Sequence, residues 1–126
     1  MSKSIFQGKR ILVTGGTGSF GHFITKELVA FQPAEIRVFS RDEKKQDDMR
    51  REFENQVNVT LVIGDVRDAN AVRKAVRDVD LIFHAAALKQ VPSCEYHVYE
   101  AILTNTMGPQ NIVNAAIEEG VDKVIA

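Results

Sequence analysis

Eight residues, Thr14-Gly15-Gly16-Thr17-Gly18-Ser19-Phe20-Gly21, directly follow the apolar run Ile11-Leu12-Val13. This junction constrains the chain more than any other feature. A short apolar run of this kind reads as a buried strand, and the glycines after it read as a tight turn. The pattern of apolar residues spaced three and four apart from Ser19 onward reads as a helix. Glycines at such a turn let the backbone approach a ligand closely and let the helix lie near the strand. Backbone N–H groups at the helix N-terminus, with its partial positive charge, then face an anion. The spacing Gly16-x-Gly18-x-x-Gly21 between a strand and a helix therefore points to the pyrophosphate of a dinucleotide. The competing interpretation is an ordinary glycine-rich strand–helix turn.

The rest of the chain repeats the strand–helix alternation. Strands are expected at Lys9 to Val13, Glu35 to Phe39, Asn58 to Ile63, Asp80 to His84 and Val121 to Ala126. Helices are expected at Ser19 to Phe31, Arg41 to Glu54, Asp68 to Val76 and about Cys94 to Glu119, with Gln32-Pro33 stopping the first and Gly120 capping the last. No internal repeat interrupts this order. Such alternation implies an α/β fold of Rossmann type: a doubly wound parallel sheet with strand order 3-2-1-4-5 and right-handed crossovers. A ligand then sits at the carboxyl ends of strands one and four, where the order reverses. With 126 residues, 44% of them hydrophobic, residues 1–126 form a single domain.

Composition excludes several classes. The net charge of −1 gives no field that would attract nucleic acid, and no apolar run approaches the roughly 20 residues of a membrane span. The single cysteine, Cys94, forbids a disulfide framework within the chain and suits the cytoplasm; neither Tyr96 nor His97 frames it for catalysis. His22, His84 and His97 lack the spacing of a metal site, so no metal is expected. Met1 to Gln7 is too short and polar for a signal peptide.

Three segments converge on the expected ligand edge. After strand two comes Ser40-Arg41-Asp42, at the place where an NAD site carries an acidic residue for the ribose 2′-hydroxyl. A guanidinium and a hydroxyl suit a 2′-phosphate, so NADP is expected; Asp42 keeps NAD as the lesser alternative. Lys44 and Lys45 either assist the phosphate or belong to a solvated helix face. After strand three comes Gly64-Asp65-Val66-Arg67-Asp68. Asp65 is positioned to accept from the adenine amino group while Val66 covers the ring, and Asp68 reads as a helix cap. After strand four, the small residues Ala85 and Ala86 let the strand end lie against ribose and nicotinamide. Lys89 would face the cleft, where it binds phosphate or substrate. His84 reads as a packed, hydrogen-bonded histidine.

TGGTGSFG, GDVRD and HAAALK, in this order, resemble the extended short-chain dehydrogenase/reductase superfamily. Ser40 to Gln46 and Ala86 to Pro92 resemble a narrower group, the UDP-N-acetylglucosamine 4,6-dehydratases of bacterial polysaccharide and glycan biosynthesis. The resemblance runs from about Lys9 to Ala126. It implies cofactor contacts from Gly15, Thr17, Gly18, Ser19, Phe20 and Gly21. Further contacts are implied from Ser40, Arg41, Asp42, Lys45, Gln46, Asp65, Val66, Ala85, Ala86 and Lys89, the last also touching a UDP-sugar substrate. The implied chemistry takes a hydride from sugar C4, eliminates water across C5–C6 and returns the hydride to C6.

The superfamily's Tyr-x-x-x-Lys pair is missing, since Glu100 follows Tyr96 and Leu103 follows Tyr99 at the required spacing. The chain is therefore expected to be the N-terminal portion of a longer enzyme. Alone it would bind cofactor without turning over substrate, so no catalytic residue is assigned within it. An exposed fifth strand is expected to promote association with a second copy. Asn105 and Pro109 suggest a kink in the long helix, or its restart at the proline. A UDP-sugar 4-epimerase or reductase of the same superfamily, or a non-catalytic NADP-binding interaction domain, are the alternatives.

Overall fold

The computed structural model describes residues 3–15, 18–84 and 110–125. Its elements are α1 (Lys3–Phe6), β1 (Arg10–Thr14), α2 (Ser19–Val29), β2 (Glu35–Ser40), α3 (Glu43–Glu52), β3 (Val59–Ile63), α4 (Ala69–Val76), β4 (Leu81–His84), a helix over residues 110–119 here called α5, and β5 (Lys123–Ile125). All strand pairs are parallel, and the order is β3-β2-β1-β4-β5, as the alternation predicts.

Alternate strand residues serve opposite faces, so a strand with helices on both sides must be apolar throughout. In β1, Ile11, Leu12 and Val13 are fully buried. Ile11 and Val13 join Ile36, Val38, Leu81 and Phe83 on the face that also buries Leu28 of α2 and Met49 of α3. Leu12 joins Phe39 and Ile82 on the other face, with Val72 and Val76 of α4 and Ile112, Ala115 and Ala116 of α5. The β3 and β5 edges are less covered, and Val124 and Ile125 of β5 are 40% and 42% exposed.

The N-terminal segment does more than the sequence suggests. Phe6 of α1 is 2% exposed, and its ring lies 5.4 Å from Phe31 and 6.2 Å from Phe83. It closes the α2 side of the core, a role no periodicity signals in a four-residue helix. Helix α2 ends at Val29 rather than Phe31. The N–H groups of Ala30, Phe31 and Gln32 bond back to Glu27, Leu28 and Val29, which tightens the last turn.

Arg37 is charged yet sits in the second strand of the sheet. Its guanidinium donates to the Ala75 and Arg77 carbonyls at 2.6 and 2.9 Å, at the end of α4, and to both Glu35 carboxylate oxygens. Carbonyls at a helix C-terminus lack intrahelical partners and carry partial negative charge, so the cation is satisfied there. Burial alone would raise the Glu35 carboxyl, but the hydrogen bonds and charge of Arg37, with Thr60 and Arg10, bring it below the usual range.

At the start of α4, Asp68 accepts from the Asn70 and Ala71 N–H groups, which is the expected cap. Just before it, Gly64 is required by crowding. A Cβ there would stand 2.5 Å from Phe39 Cε2 and 2.7 Å from Cζ, and Phe39 is 1% exposed in the core. Either the ring or the backbone must shift to admit a Cβ. Gly64→Ala is expected to lower unfolding free energy by about 1–3 kcal/mol through overpacking, read as a drop in urea midpoint at unchanged slope.

Candidate functional site

The carboxyl ends of β1, β2 and β3 carry three loops side by side. Gly15 follows β1 with φ +68°, a conformation costly for a residue with a Cβ. Its N–H donates to the Phe39 carbonyl at 2.8 Å, tying the glycine turn to the end of β2. Its carbonyl accepts from Gly18 N–H at 3.1 Å. Gly18 then caps α2 with extended backbone and no capping side chain. The N-cap position therefore holds none of the Ser, Thr, Asp or Asn side chains that ordinarily fill it. Gly21 is buried, and its carbonyl accepts from Thr25 Oγ1.

The second loop begins at Ser40, buried at the end of β2. Its carbonyl accepts from Gly64 N–H at 2.9 Å, which ties the second loop to the third. Arg41 is exposed. Asp42 is the N-cap of α3 and accepts from Lys45 N–H at 3.0 Å. The expected helix start at Arg41 is thus corrected to Glu43, because the Asp42 side chain offers the helix a better first partner. This leaves Arg41 in the loop between strand and helix. The cap engages one oxygen of Asp42, the residue on which the NAD alternative rested. Lys44 and Lys45 are exposed on the outer side of α3.

In the third loop, Asp65 is surrounded by donors. Oδ1 accepts from Arg67 N–H at 2.9 Å and from Nε at 3.1 Å; Oδ2 accepts from Nε at 3.0 Å and from an Nη2 hydrogen at 2.6 Å. Arg41 approaches Oδ2 to 3.6 Å. The Arg67 side-chain hydrogen bonds, helped by its backbone N–H and by the charges of Arg67 and Arg41, outweigh burial and hold the Asp65 carboxyl below its ordinary range. Two guanidiniums thus share one carboxylate where β2 and β3 end. The Arg67 partnership was not read from the sequence. The Asp-x-Arg spacing, which favours a side-chain-to-backbone turn, is the signal that pointed to it.

Two expected contacts are buried. Val66 is 5% exposed and belongs to the α4–α5 core cluster. Its carbonyl accepts from Asn111 Nδ2 at 2.9 Å, which ties α5 to this loop. Gln46 is fully buried beneath the second loop and faces protein on all sides. Phe20, by contrast, is 48% exposed near the start of α2.

At the end of β4, His84 Nδ1 lies 2.6 Å from Thr14 Oγ1 on the neighbouring strand. Burial pushes the His84 imidazole below its usual value, so it is neutral at neutral pH. This matches a packed, hydrogen-bonded histidine. Gly16 and Thr17, the Ser19 side chain, Ala85, Ala86 and Lys89 lie outside the described residues, as do Cys94, Tyr96, His97, Tyr99, Asn105 and Pro109. Among the described residues no group of three or more His, Cys, Asp or Glu is placed to hold a metal, and no helix is long and apolar enough to cross a membrane.

Because the folded-state pKa of Asp65 is depressed, its charge stabilises the fold above the unfolded value of about 3.9. That contribution is lost as pH falls through the lower, folded-state value. Arg67→Met is expected to raise the Asp65 pKa, followed by carboxyl carbon shifts in an NMR titration, and to move acid unfolding to higher pH.

Comparison with known proteins gives concordant matches. A family described as polysaccharide biosynthesis protein matches residues 11–126. The UDP-glucose 4-epimerase of Rickettsia bellii (strain OSU 85-389) is 49% identical over 126 residues, covering 96% of this chain and 36% of that protein. Pen from Bacillus thuringiensis superposes with a TM-score of 0.91 at 42% identity, covering 94% of this chain and 37% of Pen. The dTDP-glucose 4,6-dehydratase DesIV of Streptomyces venezuelae, solved with NAD and TYD bound, gives 0.79 at 29% identity, over 91% of this chain and 38% of DesIV. The chain thus spans little more than a third of the length of these relatives.

Proposed function

We propose a function from this premise: the chain belongs to the polysaccharide biosynthesis protein family, within the extended short-chain dehydrogenases/reductases. Residues 1–126 form the dinucleotide-binding domain of an enzyme that modifies the sugar of a nucleotide-sugar, and the dinucleotide is NADP. The observation that carries this reading is the juxtaposition of two features at one sheet edge. One is the glycine turn before an α2 with no side-chain cap. The other is Arg41, exposed just past β2 and paired with Asp65 at the end of β3.

The described residues fit such a group. The turn through Gly15 and Gly18 and the start of α2 receive the pyrophosphate, where backbone N–H groups and the helix dipole stabilise negative charge. Arg41 offers a fixed cation and several N–H donors to a 2′-phosphate, with Ser40 and Lys45 beside it. Asp65 holds Arg41 beside the end of β3. The family resemblance assigns further cofactor contacts to Ala85, Ala86 and Lys89, which follow β4 in the sequence, and a sugar-nucleotide contact to Lys89. The nicotinamide, when bound, supplies reversible uptake of a hydride from the sugar. Thr14 fixes the His84 imidazole at the strand end.

The reaction we favour is 4,6-dehydration of a UDP-N-acetylglucosamine-type sugar. It is supported by the Ser40–Gln46 and Ala86–Pro92 stretches. A second reading, 4-epimerisation of a UDP-sugar, is supported by the name of the relatives that are 49% identical. Both begin at sugar C4, so the domain's work is common to them. The protein carrying this domain, incubated with UDP-N-acetylglucosamine, separates them by mass: a product lighter by one water supports dehydration, and an isomer of unchanged mass supports epimerisation. We further propose that it works in the cytoplasm as a homo-oligomer.

Calorimetric titration tests the cofactor. The chain is expected to bind NADP⁺ more tightly than NAD⁺. Arg41→Ala is expected to weaken NADP⁺ by about 10- to 100-fold, the worth of a hydrogen bond to a charged group, and to leave NAD⁺ nearly unchanged. Tighter binding of NAD⁺ would transfer the specificity role to Asp42.

A further inference from the structure

Gln46 is a polar side chain held wholly inside the protein. Its Nε2 lies 2.7 Å from the Val62 carbonyl of β3, 3.2 Å from the Ser40 carbonyl of β2 and 3.1 Å from Ser40 Oγ. Two of these neighbours are carbonyls, which only accept, so the nitrogen of the amide must face them. An amide has two hydrogens. One serves Val62, and the other is shared between the two oxygens of Ser40. The consequence is that Gln46 Oε1 is buried with no hydrogen-bond partner among the described residues. The orphaned acceptor is costly, but a methionine of similar shape would in turn leave the Val62 carbonyl without the Gln46 donor and Ser40 without its anchor. The worth of the amide therefore lies in what it holds, the end of β2 and its join to β3.

Its place also fixes the loop that follows β2. Gln46 N–H donates to the Asp42 carbonyl, and the Asp42 side chain caps the same helix. Ser40 is fixed from one side by Gln46 and from another by Gly64 N–H. Both neighbours of Arg41 are thus anchored, one by the buried amide and one by the helix cap. The direction in which the chain leaves β2, and with it the position of the Arg41 guanidinium beside Asp65, is set by these two anchors.

We infer that Gln46 is a positioning residue for cofactor discrimination: its buried amide fixes Ser40, and through Ser40 it places Arg41 to select NADP over NAD. The inference rests on the cofactor reading above, and it moves Gln46 from a cofactor contact to the support beneath one. Gln46 touches no ligand in this role. It acts only through the residue that does.

The test is a titration of the chain, Gln46→Met, Arg41→Ala and the double variant with NADP⁺ and NAD⁺, alongside amide hydrogen exchange. Gln46→Met is expected to reduce the NADP⁺/NAD⁺ affinity ratio about tenfold with NAD⁺ affinity unchanged. It is expected to speed exchange of the Gly64 amide bonded to Ser40. In the Arg41→Ala background it is expected to have no further effect on the ratio. Equal weakening of both dinucleotides, an unchanged ratio, or a full effect without Arg41 would each overturn the inference. If Gln46→Met does not fold, Gln46→Glu keeps the shape but turns acceptor oxygens toward two carbonyls, and the same loss of ratio is expected. A wild-type chain without preference for NADP⁺ would instead defeat the cofactor reading and the selectivity role with it. The Gly64 exchange rate would then decide whether Gln46 fixes Ser40 at all, and unchanged exchange would overturn that too.

Discussion

The structure depends on β1 being buried on both faces while pairing in parallel on both edges. Ile11, Leu12, Val13 and Thr14 are all 0% exposed, and each faces a partner in β2 and in β4. A strand so enclosed cannot satisfy its backbone from water, so the ladder on each side is obligatory. The two helical layers must then cover both faces with apolar side chains. Because β1 is central, the turn that follows it opens where the sheet order reverses. The ligand edge is thus a consequence of the same burial that holds the core.

Polar groups in this molecule are spent on fixing loop directions. Arg37 closes the end of α4, Asp68 opens it, Asp42 opens α3, and Gln46 secures the end of β2. Asn111 reaches from α5 to the Val66 carbonyl. Each replaces a bond to water for a backbone group at an element's end, where the chain must turn without a ladder. The three loops at the site are joined by two such bonds, Gly15 N–H to Phe39 and Gly64 N–H to Ser40. A cofactor bound there would meet loops whose backbones are already tied to one another, which lowers the entropy lost on binding.

Much of this was legible in the residues. The alternation of apolar runs with helical patterns is a direct record of a parallel sheet covered on both sides, and it yields the strand order. Asp68 was legible as a cap because a carboxylate before a helix has few other local uses. The start of α3 was read two residues early, since Arg41 and Asp42 both suit a helix-flanking position and only the backbone shows which side chain caps. The packing of Val66 into the core was not legible, because an apolar residue beside a loop aspartate is ambiguous until its neighbours are known. Phe6 escaped notice because four residues carry no periodicity.

By itself the sequence determined the fold class, the strand order, the glycine turn and the three loops that meet at one edge. These follow from local rules: residue spacing, backbone freedom at glycine and the short-range choices of capping side chains. Only the tertiary structure decided that Gln46 lies under Ser40, that Arg41 of the second loop reaches Asp65 of the third, and that Gly64 must lack a side chain because Phe39 occupies its space. Each of these joins residues from different elements. Which polar groups meet inside a protein is set by how the sheet and helices close on one another, and no spacing along the chain records that.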